Sequence, residues 1–308
     1  MKKFLKYYFL ICLPLLIAAV FVEIAVRHVP NSFKYKYDWM QKNAEEVEIL
    51  IFGSSHTFFG VRPDYFEMKA FNLANSSQGN RQDFFLLQYW GNKYKNLKMV
   101  IMPISYFTWF SRGLEYGSES YRCRYYKIYM DCDLYSDFSL YNLELSDIRT
   151  VREKFKKFIK KDKNIDCDSL GWGTAYKLSH KDMIGWNNGS TAAAAVTRHT
   201  AKTWEYIDPN YERLQNMAEF CKSNNIQLVL ITTPCWHSYY DNLNREQLKK
   251  TYELTRQLQR EYGLPYFDYL KDPRFEPDDF YDSDHLSDIG AAKFTKILNA
   301  DIQSLLGE

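Results

Sequence analysis

Short apolar segments that end in glycine, proline or serine constrain the fold of this chain most. The first is the run from Ile49 to Phe52, which is followed by Gly53-Ser54-Ser55-His56. Four consecutive apolar residues are typical of a strand buried on both faces, as in a parallel sheet covered by helices. Similar segments at 70–74, 97–103, 227–234 and 265–270 alternate with helical patterns. This order predicts an α/β fold, a three-layer α/β/α sandwich around a parallel sheet.

Two separate blocks of the sequence carry residues suited to nucleophilic catalysis. Ligands bind beyond the carboxyl ends of parallel strands, which is where Gly53 to His56 are expected. Near the other end of the chain, Asp282 and His285 are spaced D-x-x-H. A serine becomes a strong nucleophile when a histidine removes its proton and a carboxylate orients that histidine. The alternative is a plain loop in which Ser287 caps the final helix.

Together these blocks resemble the SGNH/GDSL hydrolase superfamily, over roughly residues 46 to 308. The resemblance is to its membrane-anchored branch, which includes D-alanyl-lipoteichoic acid esterase-like and polysaccharide O-acyltransferase-like proteins. It implies a flavodoxin-like sheet and acyl-transfer chemistry. The third residue of the first block, Ser55, would be the nucleophile, His285 the base and Asp282 its orienting carboxylate.

The resemblance also implies groups that stabilise an oxyanion and bind substrate. In the family, a glycine N–H after the second strand points at the oxyanion. Its best match is Ser77, with Gly79 as the alternative, and Gln78 between them is a candidate substrate contact. Ser105 occupies the place of a family asparagine that donates to the oxyanion. His237, beyond the fourth strand, is a further candidate substrate contact.

The N-terminal segment predicts membrane attachment. Lysines precede an apolar run long enough to span a bilayer, and positive charge favours the cytoplasmic side. We therefore expect a cytoplasmic N-terminus (1–6), a transmembrane signal anchor (7–26), a linker (27–47) and a catalytic domain (48–308) outside the cytoplasmic membrane of a bacterium. The alternative is a cleaved signal peptide, although no convincing small-x-small site follows the run.

A large helical and irregular insertion is expected at about 107–208, where the α/β rhythm stops. Within it, residues 148–161 predict a helix with an apolar stripe and a basic face, which is either solvated or in contact with anionic lipid or acidic glycan. The segments 171–173, 186–189 and 192–195 are interpreted as an irregular cap over the site. His180 and His199 are interpreted as surface or packing residues.

Composition and spacing exclude other classes of protein. A formal net charge of +2 gives no nucleic-acid footprint, and no His/Cys cluster has metal-ligand spacing. We expect no metal and no cofactor. The predicted function is a serine esterase or O-acyltransferase that acts on an acylated envelope polysaccharide or another ester, alongside other envelope polysaccharide-modification proteins. The alternative is a non-catalytic glycan-binding or assembly protein on the same scaffold.

Overall fold

The computed structural model describes residues 2–136, 139–184 and 190–305. The chain divides into two compact units. Unit 1 comprises Met1–Tyr37 and Ser118–Ile165, and unit 2 comprises Asp38–Gly117 and Asp166–Glu308.

Helices and strands follow one another in the order expected of an α/β protein. The α-helices are α1 (Lys2–Arg27), α2 (Ser32–Asn43), α3 (Ser55–Gly60), α4 (Asn80–Tyr89), α5 (Cys123–Tyr129), α6 (Ile148–Lys160), α7 (Ser190–His199), α8 (Ile207–Ser223), α9 (His237–Tyr240), α10 (Arg245–Tyr262) and α11 (Asp288–Gln303). The strands are β1 (Ile49–Ile51), β2 (Ala70–Asn72), β3 (Met99–Pro103), β4 (Gln227–Thr232) and β5 (Tyr266–Asp268). Short 3₁₀ helices lie at Pro63–Tyr65, Gly91–Lys93, Thr108–Phe110, Leu114–Tyr116, Ser120–Arg122, Leu140–Asn142, Glu144–Ser146, Leu178–Ile184 and Pro277–Asp279.

Unit 2 is built on a five-stranded sheet in the order β2-β1-β3-β4-β5. Every neighbouring pair of strands is parallel. This is the flavodoxin-like order, in which ligands bind beyond the carboxyl ends of the strands near β1 and β3. The predicted parallel α/β fold is therefore confirmed.

The two faces of the sheet pack against different helices. Ile51, Ile101 and Val229 lie in one apolar cluster with Phe294 and Leu298 of α11. Because side chains alternate along a strand, the residues between them point to the other face. There, α8 packs against β4 and against α4 and α10. The sheet thus forms the middle of three layers, as expected.

Gly53 makes the sharp turn between β1 and α3. Its φ is +110°, and a β-carbon there would collide with the ring of Pro103 and lie 2.8 Å from Thr57 Oγ1. Only glycine tolerates this combination of left-handed backbone and close packing. The turn then lets α3 begin at Ser55.

Unit 1 combines α1 with the segment that contains α5 and α6. The Glu23 carboxylate of α1 accepts hydrogen bonds from the backbone N–H groups of Glu144 (3.0 Å) and Leu145 (2.9 Å). Helix α1 also packs against α6. Residues 118–165 therefore group with the N-terminal helix, whereas the sequence analysis assigned them to one insertion in the catalytic domain.

Two further segments differ from their sequence-based interpretation. Helix α2 occupies residues 32–43 of the expected linker. The segment 192–195, interpreted as irregular, belongs to α7, because a run of alanines has the highest helix propensity. Residues 186–189 lie outside the described residues.

Replacing Gly53 by alanine is expected to destabilise the protein by about 2–4 kcal/mol, because strain and overpacking add. Gly263→Ala is the matched control, since Gly263 also has positive φ (+66°) but nothing lies within 4 Å of its added carbon. It should cost about 1 kcal/mol. Urea unfolding of both variants measures the difference, and equal losses would show that packing at Gly53 is unimportant.

Candidate active site

The two sequence blocks meet at the carboxyl end of β1. Ser55 is the first residue of α3, and the loop with Asp282 and His285 leads into α11. Helices α3 and α11 pack against each other, which brings the loop to the serine. Ser55 is partly exposed, whereas Ser54 is buried. Of the two serines, Ser55 is therefore the one open to a substrate.

Ser55, His285 and Asp282 form a continuous hydrogen-bonded chain. His285 Nε2 lies 2.8 Å from Ser55 Oγ. On the other side of the ring, His285 Nδ1 lies 2.8 and 3.0 Å from the two carboxylate oxygens of Asp282. Asp282 Oδ1 also accepts the backbone N–H of His285 at 2.8 Å, which fixes the carboxylate. Because the carboxylate accepts the Nδ1 proton, Nε2 is the nitrogen left to exchange a proton with Ser55.

A second carboxylate, Asp284, lies behind this chain and was not singled out from the sequence. Three imidazoles surround its buried Oδ2: His56 Nε2 at 3.4 Å, His285 Nδ1 at 3.6 Å and His199 Nδ1 at 3.9 Å. His199 Nδ1 also lies 2.8 Å from the hydroxyl of Tyr239. His199, which the sequence predicts to be a surface or packing residue, therefore packs close to the loop that carries Asp282 and His285.

Burial and charge separate the pKa values of the three histidines. Burial alone would lower the pKa of His285, but the carboxylates of Asp282 and Asp284 outweigh it and raise that pKa to about 9. Burial lowers the pKa of His56, and it lowers the pKa of His199 to about 3. Although burial opposes it, the neighbouring His285 and His56 hold the pKa of Asp284 well below its usual range. The proton of this cluster therefore resides on His285.

The Ser105 side chain is engaged with His56. Neutral His56 donates its Nε2 proton to Asp284, so its Nδ1 accepts from the Ser105 hydroxyl at 2.9 Å. The Ser105 N–H donates to Thr108 Oγ1 at 2.8 Å. Both polar hydrogens of Ser105 are thus used inside the protein, which does not favour its predicted role as an oxyanion donor.

Gln78 also points into the protein. Its side chain is 4% exposed, and its Nε2 donates to Asp83 Oδ1 at 2.6 Å. The same Asp83 oxygen accepts the backbone N–H of Gly53 at 3.0 Å. Asp83 therefore joins the turn before Ser55 to the loop after β2, a link that the sequence analysis missed. These bonds favour a structural role for Gln78 over the predicted substrate contact.

The other residues predicted to bind the oxyanion or the substrate are Ser77, Gly79 and His237. Ser77 is exposed and has a φ of +62°, a left-handed backbone conformation that glycine adopts most readily. Gly79 donates its N–H to Gln82 Oε1 at 3.3 Å. His237 is exposed at the start of α9, where its Nδ1 lies 4.0 Å from Asp241. The structure does not place His237 in the histidine cluster.

Two sets of side chains among the described residues could hold a metal ion by composition: His56, His199 and Asp284, and Asp282, Asp284 and His285. The ligand atoms of His56, His199 and Asp284 all lie within 4.8 Å of one another, and two imidazoles with one carboxylate suit a divalent ion. His199 Nδ1 is hydrogen-bonded to the Tyr239 hydroxyl, and His56 Nε2 faces Asp284 directly. These hydrogen bonds engage nitrogen atoms that would otherwise bind an ion.

Comparison with known proteins gives structural neighbours only. No family model matches the chain, and no curated protein matches it. Among solved structures, the chain is similar to a protein assigned as an acylhydrolase from Bacteroides fragilis, at 13% identity and a TM-score of 0.41 over 87% of this chain and 95% of that one. It is also similar to a GDSL-like lipase from Bacteroides thetaiotaomicron, at 13% identity and a TM-score of 0.40 over 89% and 98%. At this distance, activity has to be argued from the site itself.

Asp284→Asn is expected to lower the pKa of His285 by removing one of the two carboxylates that stabilise its charged form. The acid limb of the pH–rate profile for reaction at Ser55 should move to lower pH, by about 1 unit or more. Asp241→Asn, which removes an exposed carboxylate beside His237, should leave the limb in place.

The profile can be measured as the rate of modification of Ser55 by a fluorophosphonate between pH 5 and 10. Circular dichroism establishes that the Asp284→Asn variant is folded. An unchanged acid limb in a folded variant would show that Asp284 does not control the proton on His285.

Proposed function

We propose that this chain is a serine-dependent esterase or O-acyltransferase that acts on acyl esters of a cell-surface or envelope polysaccharide. The observation that carries the proposal is the hydrogen-bonded chain from Ser55 through His285 to Asp282, with distances of 2.8 Å on both sides of the imidazole. Nucleophile, base and orienting carboxylate are arranged as acyl transfer requires. The resemblance to the SGNH/GDSL superfamily supports the same function.

The reaction would proceed through an acyl-enzyme. Ser55 Oγ attacks the ester carbonyl while neutral His285 Nε2 takes the hydroxyl proton. When the tetrahedral intermediate collapses, the bond to the alcohol oxygen breaks and His285 returns the proton to that oxygen. Water or a glycan hydroxyl then attacks the acyl group, gives its proton to His285, and Ser55 leaves with that proton. If water is the acceptor, the protein is an esterase. If a glycan hydroxyl is the acceptor, the protein is an O-acyltransferase.

Backbone N–H groups are the proposed donors to the oxyanion. The candidates are those of Ser55 and Ser77, with Gly79 as the alternative to Ser77. Since Gly79 already donates to Gln82, Ser77 is the stronger candidate of the two. Each donor would contribute about 3 kcal/mol to stabilising the transition state.

Membrane anchoring is the proposed function of α1. The segment Lys6–Arg27 is long and apolar enough to cross a membrane. Its last turns are built into unit 1, because Ala25 and Val26 are 3% and 0% exposed and Glu23 binds the backbone of residues 144 and 145. Cleavage as a signal peptide would remove these contacts, which supports a retained anchor. Lysines before the apolar run favour a cytoplasmic N-terminus and a catalytic domain outside the bacterial cytoplasmic membrane.

A non-catalytic glycan-binding or assembly protein is the second candidate. It is favoured by Ser105, which stands where the family has an asparagine and uses its hydrogens on His56 and Thr108. Proteins that modify envelope polysaccharides would be partners in either case. The two candidates differ in whether Ser55 reacts.

Fluorophosphonate labelling of the full chain in detergent tests the nucleophile. Wild type and Ser54→Ala should label, because the Ser54 side chain makes no capping hydrogen bond at the start of α3. Ser55→Ala should lose labelling by more than about 10³-fold. A folded wild-type protein that stays unlabelled at pH 9 would favour the glycan-binding candidate, and labelling retained in the Ser55 variant would place the nucleophile elsewhere.

A further inference from the structure

Unit 1 leaves a concentrated set of large apolar side chains exposed. Outside α1, nine large apolar side chains of the described residues are exposed, and six of these lie between residues 140 and 159. They are Leu140, Leu143, Leu145, Ile148, Phe158 and Ile159. Scattered exposed apolar residues are normal, but six of them between residues 140 and 159 indicate an interaction surface.

Basic side chains accompany this cluster. Helix α6 and the residue that follows it carry six exposed basic residues: Arg149, Arg152, Lys156, Lys157, Lys160 and Lys161. The exposed acidic residue of α6 is Glu153, which pairs with Lys156 at 2.8 Å. Residues 140–161, the interfacial segment, therefore present apolar groups and a surplus of positive charge together.

The interfacial segment is attached to the end of the apolar helix. Besides the two hydrogen bonds from its backbone to Glu23, Arg27 donates to the carbonyl oxygen of Asn142. The uncharged run of α1 ends just before Glu23, so a spanning helix would leave the hydrocarbon at this turn. In that case the segment would lie at the level where lipid headgroups begin.

Buried polar contacts hold the interfacial segment in this position. Glu144 is 0% exposed, and its carboxylate accepts from the Tyr129 hydroxyl at 2.6 Å and pairs with Lys154 of α6 at 2.5 Å. The guanidinium of Arg124, also buried, lies 3.2 Å from Asp147. The exposed apolar side chains thus belong to a fixed surface and not to a loosely attached loop.

We propose that the interfacial segment inserts its apolar side chains into the outer surface of the bilayer and binds anionic lipid headgroups through its basic residues. The inference rests on the proposed anchoring by α1 and is independent of the chemistry at Ser55. A lipid surface accounts for both the apolar and the basic groups, because amphipathic helices with these two faces lie in the membrane interface. An acidic glycan would explain only the basic groups.

Depth-dependent fluorescence quenching of the full chain in vesicles tests the proposal. The Cys12→Ser background leaves only cysteines that are buried, so an introduced cysteine can be labelled with the environment-sensitive fluorophore NBD. Labels at Ile148→Cys and Ile159→Cys should shift to the blue and lose fluorescence with doxyl-labelled lipids. A label at Lys249→Cys, on the 79% exposed side chain in unit 2, should not.

A label at Leu15→Cys in α1 separates this proposal from the anchoring on which it rests. Quenching at residue 15 without quenching at 148 and 159 would overturn the interfacial placement and leave the anchor intact. If residue 15 is not quenched either, the anchor fails and the proposal fails with it. Fluorophosphonate labelling of Ser55 reports on the enzyme separately from both.

Lipid charge tests the second half of the proposal. Quenching at residues 148 and 159 should be greater in vesicles that contain phosphatidylglycerol than in pure phosphatidylcholine, and this gain should be lost in the Lys156→Gln, Lys157→Gln, Lys160→Gln triple variant. Equal quenching in both vesicles would overturn anionic-lipid binding. Displacement of the labels from phosphatidylglycerol vesicles by polygalacturonate would overturn it in favour of an acidic glycan.

Discussion

The turn at Gly53 is the constraint on which the site depends. Strand β1 is buried on both faces, and the chain that leaves it must change direction sharply so that α3 can begin at Ser55. The left-handed φ makes that change of direction, and the packing of Pro103 against it leaves no room for a side chain. Asp83 then ties the Gly53 N–H to the loop after β2. The position of the serine is thus set by backbone geometry and one buried carboxylate, and not by its own side chain.

Charge balance within the buried cluster determines which histidine can act. Two carboxylates and three imidazoles lie close together, and burial penalises every charged form. His285 alone faces both Asp282 and Asp284 at short range, so it takes the proton while His56 and His199 stay neutral. His56 therefore links Ser105 to Asp284: its Nδ1 accepts from the Ser105 hydroxyl, and its Nε2 donates to Asp284. Its place beside Ser55 in the sequence does not make it a base.

Local sequence signals were enough to predict the sheet and the three residues that the structure brings together. Ile49 to Phe52 is apolar without alternation, and Asp282 and His285 lie only three positions apart, so both patterns are visible in a short window. The predicted cap at Ser287 is present, with its hydroxyl accepting the N–H of Gly290 at 3.2 Å. Asp284 lay within the recognised block and was missed because its neighbours, His56 and His199, come from distant elements.

Long-range contacts explain the remaining differences. No local pattern indicates that residues 118–165 belong with α1, because the grouping depends on a glutamate of one segment binding the backbone of another. Similarly, the resemblance predicts Ser105 as an oxyanion donor from its order along the chain, but its hydroxyl is directed by His56, which comes from α3. Sequence order identified which residues lie at the edge of the sheet. It did not determine which way each side chain is turned.

The high pKa of His285 has a consequence for the proposed catalytic cycle. Because the two carboxylates raise the pKa of His285 to about 9, most molecules carry protonated His285 at pH 7, so the base step is slowed in the resting protein. The same carboxylates stabilise the imidazolium that forms when Ser55 gives up its proton, which lowers the energy of that state. A substrate that displaces water from the cluster would strengthen this stabilisation, because charge interactions grow as the local dielectric falls. Few molecules therefore carry neutral His285, but in those molecules the transfer of the Ser55 proton to His285 is more favourable.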